Sequence, residues 1–240
     1  MTHSQIQEIH SLDDKKQRDA LGLFKAEGEK LVGELLSSRI SVKSVYQTEE
    51  IFEQGVLISQ KEMSRISSLK TATKVLAVAE KPKYSLSNAL PEKALILALD
   101  GVQNPGNIGT IIRLADWFGI NDIVCSPQCA DVFGPKVVQA AMGATFRVRV
   151  HYTDLVSFLL FHKSVPVYGT FLDGEDIYSA TLSRNGIIVM GNEGQGISQE
   201  VAKKVNRRLF IPPYPKNAHT SESLNVAIAT SIVCSEFRRR

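Results

Sequence analysis

Apolar and polar positions along this chain follow two periods in turn. The sharpest case spans residues 94–120. Ala94 to Leu99 are an unbroken apolar run, the pattern of a strand buried on both faces. Asn104-Pro105-Gly106 then punctuates the chain as a turn. From Asn107 the period becomes helical: Ile108, Ile111, Ile112, Ala115 and Phe118 recur at spacings of three and four and share one face. Asn107 has the chemistry of an N-cap, and Gly119 that of a C′ stop. Arg113 is the one cation inside this helix. A strand, a polar glycine turn and a helix carrying one Arg is how open α/β sheets build sites beyond their strand ends.

The flanking pattern is an alternation of the same two periods. Residues 13–38 read as helix, with Leu21, Phe24, Leu31 and Leu35 near helical spacing and Gly22 and Gly28 as interruptions. Strands are expected at 42–46, 56–58 and 75–79, and helices at 49–54 and 59–68. Lys81 to Lys93, with two prolines and no period, reads as a linker. Beyond it, strands are expected at 94–99, 122–125, 146–150, 167–170, 186–190 and 208–211. Helices are expected at 107–118, 135–142, 153–162, 198–204 and 223–237. This predicts an α/β chain: a small α/β domain at about 1–82, then a second at about 93–240 built on a mostly parallel sheet covered on both faces.

Composition narrows the function classes. Of 240 residues, 43% are hydrophobic and 22% charged, which describes a soluble globular protein. No apolar run approaches the ~20 residues that span a bilayer, and the N-terminus lacks a signal-peptide apolar core, so a cytoplasmic protein without a membrane partner is expected. Cys125, Cys129 and Cys234 form no C-x-x-C pair and read as reduced thiols. The five histidines are scattered, so no metal site is expected. The net charge of +3 is spread evenly: residues 1–90 carry 13 Lys and Arg against 12 Asp and Glu, residues 91–240 carry 15 against 13. A nucleic-acid partner would therefore be met by local patches. Candidates are Lys15, Lys16, Arg18, Lys25 and Lys30 in the first domain, Lys203-Lys204 with Arg207-Arg208, and Arg238-Arg239-Arg240. The first domain holds no phosphate loop and no nucleophile–base pair, and reads as a recognition module.

Two further loops carry candidate chemistry. The apolar strand 187–190 runs into Gly191-Asn192-Glu193-Gly194-Gln195-Gly196. Its glycines let backbone approach a ligand and expose N–H groups. It lacks the ending of a phosphate loop and the spacing of a dinucleotide fingerprint. The third loop is Phe210-Ile211-Pro212-Pro213-Tyr214-Pro215, then polar residues, then Ser223-Leu224-Asn225-Val226. Thr220 or Ser221 is expected to cap the last helix, and Leu224, Ala227, Ile228, Ser231 and Ile232 to form its packed face. Ser223 and Asn225 would lie in its first turn, where free N–H groups favour a polar or anionic ligand group.

In this order the three loops resemble the motifs of the SpoU/TrmH branch of the SPOUT RNA methyltransferases. The segments concerned are Asn107 to Arg113, Gly191 to Gly196, and Ser223 to Val226 after Ile211-Pro212. Residues 21–36 resemble the small ribosomal-protein-like RNA-binding domain often fused to that family. The third motif departs from the pattern: Pro213 stands where relatives carry Met, and the loop is longer and lacks Gly. The resemblance implies an α/β-knot domain, its C-terminal segment threaded into a trefoil, acting as a homodimer. It implies transfer of a methyl group from S-adenosylmethionine to a ribose 2′-hydroxyl of RNA, rRNA ahead of tRNA. Gly191, Ile211 and Leu224, with Asn192 and Gly196, would hold the cofactor, and Thr170 and Leu172 would line the same pocket. Arg113 would serve the hydroxyl and its phosphate, and Asn107, Glu193, Ser223 and Asn225 would fix Arg113, the cofactor loop and the ribose. The competing reading is a non-catalytic RNA-binding protein on the same knotted fold.

Overall fold

The computed structural model describes residues 1–215 and 223–239. It divides into two compact units, one of Met1–Lys83 with Asp131–Arg147, the other of Tyr84–Ala130 with Val148–Arg240. No helix among the described residues is long and apolar enough to cross a membrane.

The first unit opens with α1 (His3–Ser11) and α2 (Lys15–Leu21), followed by β1 (Leu23–Glu27), α3 (Glu29–Leu36), β2 (Val42–Gln47), β3 (Gly55–Leu57), α4 (Gln60–Ile66) and β4 (Val75–Glu80). Its sheet has the order β1-β4-β2-β3. The single helix expected over 13–38 is instead helix, strand, helix. Gly22 adopts a left-handed conformation (φ 66°) and ends α2; Gly28 (φ 104°) releases the chain from β1 into α3. The helical spacing of Leu21, Phe24, Leu31 and Leu35 arises from three successive elements, α2, β1 and α3, not from one helix. No helix forms at 49–54: Gln47 accepts from the backbone of Ile51 and Phe52 and donates to Phe52 and Gly55, holding that stretch as a turn. α1, with a capping box on Thr2, carries no strong apolar run and had no counterpart in the reading of the pattern.

All of β1 is buried, including Lys25 and Glu27. Lys25 is 1% exposed; its ammonium donates to the Ile66 carbonyl at 2.8 Å and pairs with Asp13 at 2.9 Å. Glu27 accepts from the Ser67 hydroxyl and the Ser68 amide. Arg18 is 3% exposed, and its guanidinium donates twice to Asp131 and to the carbonyls of Leu12 and Asp13. Arg18 and Lys25 are thus structural cations, not part of a surface patch; Lys16 and Lys30 are exposed. Residues 131–147 complete this unit. Their helix packs against β1, and the rings of Phe133 and Phe146 lie 5.0 Å and 6.1 Å from that of Phe24.

The second unit is a six-stranded, wholly parallel sheet: β5 (Leu95–Leu99), β6 (Asp122–Cys125), β7 (Arg149–Tyr152), β8 (Val167–Asp176), β9 (Gly186–Met190) and β10 (Arg207–Phe210). The order is β10-β8-β9-β5-β6-β7. Along the chain, α5 (Pro105–Trp117) follows β5, α6 (Pro135–Ala141) is the first unit's added helix, and α7 (Leu155–Phe161), α8 (Gln199–Ala202) and α9 (Val226–Arg239) complete the set. The third expected strand starts three residues late, because Ala144–Phe146 is a 3-10 turn. One face of the sheet sends Ile96, Ala98, Ile187 and Val189 into a cluster with Leu155, Phe158, Leu159 and Val201 of α7 and α8. Alternation leaves Leu95, Leu97 and Leu99 to the opposite face, and there α5 packs against α9. All three cysteines are free thiols.

α9 differs from its expected form. It starts at Val226, so Ser223 precedes it. Thr220 and Ser221 lie outside the described residues; within them, the Asn225 side chain accepts from the amides of Ala227 and Ile228 and caps the helix. Its inner face is Val226, Ala227, Thr230, Val233, Cys234 and Phe237, whereas Leu224 and Ile228 are 48% and 53% exposed. Arg238 donates to the carbonyls of Phe118 and Gly119 at the end of α5, and Arg239 pairs with Glu236, so these two arginines are engaged in the fold; Arg240 lies outside the described residues.

The Arg18–Asp131 pair yields the first prediction. Removing one partner of a buried ion pair strands the other charge, at a cost of roughly 3–5 kcal/mol. Asp131→Ala should lower unfolding stability by about that amount in denaturant titrations. A loss below about 1 kcal/mol would show that water or a new partner replaces the carboxylate.

Candidate active site

In an open parallel sheet, ligands sit beyond the carboxyl ends of the strands where the strand order reverses. Here β6 and β7 run outward on one side of β5, and β9, β8 and β10 on the other. The reversal lies between β5 and β9, and the first two motif loops leave the sheet at those two strand ends.

The β5 loop enters α5 through Asn104-Pro105. Asn104, not Asn107, is the N-cap: its side chain accepts from the amides of Gly106 and Asn107 at 2.8 Å and 3.2 Å. Proline at N1 has no amide to satisfy and a φ already suited to the helix, so Asn-Pro was a legible capping signal. Moving the cap to Asn104 frees the Asn107 side chain for another use. Asn107 Nδ2 donates to Glu193 Oε1 at 2.9 Å, and Asn107 Oδ1 accepts from Asn225 Nδ2 at 3.1 Å. One amide thus joins all three motif segments, spending its donor on the second and its acceptor on the third.

Glu193 receives more than that bond. The amides of Asn104 and Gln103 donate to it at 3.1 Å and 3.4 Å. Partial burial pushes its carboxyl up, but the bonds from Asn107 and from backbone amides outweigh burial and hold it below the usual 4.5. The loop that presents Glu193 is closed on itself. Asn192 and Gly196 exchange backbone hydrogen bonds of 2.9 Å and 3.0 Å. The Asn192 side chain accepts from the amides of Gly194 and Gln195 and donates to the Gly101 carbonyl at 2.7 Å. Asp100 accepts from the Ser198 amide at 2.8 Å, a second strut between the loops. Gly191 is required by this closure, since a Cβ there would strike the backbone of Gly196 and Ile197. Its glycine serves the loop's own packing, a different reason from the ligand approach read from the pattern. Gly196 sits at φ 69°, which an L side chain resists.

The other expected site residues are placed as follows. Arg113 is exposed on α5 and makes no hydrogen bond or ion pair among the described residues, so its guanidinium is available. Ser223 is exposed and outside the junction. Thr170 lies beside the end of β9, its hydroxyl 4.0 Å from the Met190 sulfur. Leu172 is 73% exposed and Ile211 half-buried. Asn104, Gln103 and Asp100 were not foreseen as site residues. The latter two act through contacts distant in sequence, which no local pattern signals.

Residues 94–235 match the SpoU rRNA Methylase family, and residues 3–88 match the MRM3-like substrate binding domain. The chain belongs to the SpoU family. It is 32% identical over 247 aligned residues to the 23S rRNA (guanosine(2553)-2'-O)-methyltransferase RlmP of Bacillus subtilis, covering 98% of this chain and 96% of that one. Among solved structures, a TrmH-family protein from Porphyromonas gingivalis is 40% identical, with a TM-score of 0.86 over 100% of this chain and 98% of the other. An AdoMet-bound rRNA methyltransferase from Sinorhizobium meliloti is 30% identical, with a TM-score of 0.88 over 100% and 95%.

The junction predicts a pH response. A carboxyl whose folded pKa is depressed contributes tethering that is fully present above its unfolded value and lost as pH falls through the folded one. The Glu193 tether should therefore persist at pH 5–8 and fail only below 4.5. Glu193→Gln should speed amide exchange at Gln103 and Asn104 at pH 6. Unchanged protection of those two amides in the variant would rule out the carboxylate as their anchor.

Proposed function

We propose that this protein transfers a methyl group from S-adenosylmethionine to a ribose 2′-hydroxyl of ribosomal RNA. The observation that carries this reading is the junction of Asn107, Glu193 and Asn225 at the reversal of the sheet, in a chain of the SpoU family. Full-length similarity to RlmP makes 23S rRNA the substrate to test first. We also propose that the second unit carries the family's trefoil knot, a reading supported by its wholly parallel sheet and by the packing of α9 against α5. The protein is placed in the cytoplasm on this reading, alongside its RNA.

The residues present suit the cofactor. β8 offers a hydroxyl at Thr170 and an exposed apolar group at Leu172, the ends of β9 and β10 lead into the short Gly191–Gly196 loop and half-buried Ile211, and exposed Leu224 precedes α9. The charge on that loop is Glu193, opposite in sign to a sulfonium. Gly191, Asn192, Gly196, Ile211 and Leu224 would hold it, with Thr170 and Leu172 alongside. When bound, S-adenosylmethionine supplies an electrophilic methyl on sulfur.

The chain's own residues do the rest. Glu193 and Asn225 lock Asn107, and with it the start of α5, so that Arg113 is presented on a fixed helix. A guanidinium keeps its proton throughout the accessible pH range, so Arg113 acts as a cation and not as a base. It binds the phosphate next to the reacting ribose and stabilises negative charge growing on the 2′-oxygen. Ser223, exposed ahead of α9, contacts the ribose. RNA affinity comes in part from the exposed Lys16 and Lys30 of the first unit, Arg18 and Lys25 being committed to its interior.

Arg113→Ala should slow single-turnover methyl transfer by on the order of 10²–10³, the worth of one preorganised charge contact, with cofactor affinity retained. Arg113→Lys should also fall well short, because an ammonium cannot reproduce the planar two-pronged contact. Wild-type turnover in Arg113→Ala would remove the proposed role.

We further propose a homodimer, supported by the apolar groups left uncovered around the start of α9: Leu224 at 48% and Ile228 at 53% exposure. Such a patch, desolvated in a self-complementary contact, is the usual core of a twofold interface. Ile228→Arg should shift the protein from dimer to monomer in light scattering. A wild-type protein that is monomeric at micromolar concentration would refute the assembly.

A further inference from the structure

β8 and β10 are paired out of step. Arg208 is opposite Gly169, and the next residue, Leu209, is opposite Glu175. Residues 170–174 of β8 therefore have no partner on β10 and form a five-residue excursion at the edge of the sheet. Its two ends are fixed by glycines. A Cβ at Gly169 would lie 2.8 Å from the Phe171 ring and 3.1 Å from Ile197, and one at Gly174 would strike the Leu209 carbonyl.

The middle of the excursion is held by a single side chain. The Arg208 guanidinium carbon lies 3.5 Å from the Phe171 ring centroid, stacked on its face, and the same guanidinium pairs with Asp173. Arg208 thus grips two residues that flank Leu172, one by its face and one by its edge. This bidentate use of a planar cation on a ring and a carboxylate is beyond a lysine. It also removes Arg208 from the basic cluster read at 203–208.

The position of this clasp matters because of what adjoins it. Thr170, the first residue of the excursion, lies against Met190 at the end of β9, one residue before the Gly191 loop. Ile211 lies three residues after Arg208, just beyond the end of β10. Thr170, Leu172 and Ile211 are the residues assigned above to the cofactor, and Arg208 binds their two segments together. We propose that Arg208, through its stack on Phe171 and its pairing with Asp173, is a positioning residue that preorganises the 170–174 excursion for S-adenosylmethionine. This rests on the cofactor assignment under Proposed function. Loop ordering that is in place before binding does not have to be supplied by the ligand, so loss of the clasp acts on affinity and not on methyl transfer itself.

The test is titration calorimetry of S-adenosylmethionine and its demethylated product with the full-length protein. Arg208→Ala should weaken both on the order of tenfold and raise the cofactor KM in proportion. Its kcat at saturating cofactor and its melting temperature should stay near wild type. Arg208→Lys should fall between the two proteins, and amide exchange at 171–173 should quicken in Arg208→Ala. Arg207→Ala, which removes the same charge one residue away, should bind as wild type does. Equal cofactor affinity in Arg208→Ala and wild type would overturn the clasp alone, as would an equal loss in Arg207→Ala. Absence of binding by the wild-type protein would instead overturn the cofactor assignment on which the clasp rests.

Discussion

The second unit's site depends on one side-chain amide. Asn107 has a donor and an acceptor at fixed positions, and each faces a different loop. Glu193 takes the donor and Asn225 offers its own amide to the acceptor. The polarity is enforced from both ends. A carboxylate at Glu193 needs a donor, and Asn225, whose oxygen already caps α9, has only its NH2 left to give. An aspartate at 107 would place two anions within about 3 Å and leave the Asn225 NH2 facing charge of a different geometry. The three strand-end segments are therefore locked in one mutual arrangement by groups that admit no other assignment of donor and acceptor.

This lock explains why the surrounding loops can be short and exposed yet ordered. The 191–196 loop closes on itself through the Asn192–Gly196 backbone pair, and two further struts bind it to the β5 loop, Asn192 to Gly101 and Ser198 to Asp100. Preorganisation of this kind matters where charge develops during a reaction, because dipoles already in place need no reorientation. Arg113 stands outside the lock, exposed on the helix that the lock anchors. Rigid support with one uncommitted cation is a sensible division of labour for gripping a flexible RNA backbone. The clasp proposed for Arg208, on the edge strand β10, applies the same logic to the 170–174 excursion.

Much of the second unit was legible because its central strands are buried on both faces and read as apolar runs: 94–99, 123–125 and 187–190 need no context. The first unit was harder. β1 reads Leu-Phe-Lys-Ala-Glu, and two charges in five residues hide a strand whose every side chain is buried; only the distant partners Asp13, Ile66, Ser67 and Ser68 make that burial tolerable. The same long-range satisfaction removed Arg18 and Lys25 from the surface. At the site, Asn107, Glu193 and Asn225 were identifiable as polar residues at strand and helix ends, but the bonds joining them were not, since they span 86 and 118 residues. The inner face of α9 was misjudged by one register step, because Leu224 and Ile228 look like core residues until the helix start and the exposure of its first turn are known.

The most direct test of the account is a map of 2′-O-methylation across total ribosomal RNA, made with the gene intact and with it deleted. The account predicts one 23S ribose that is methylated in the intact strain, unmethylated in the deletion, and restored by the wild-type gene but not by a gene encoding Asn107→Asp. Identical maps in the intact and deleted strains would contradict it.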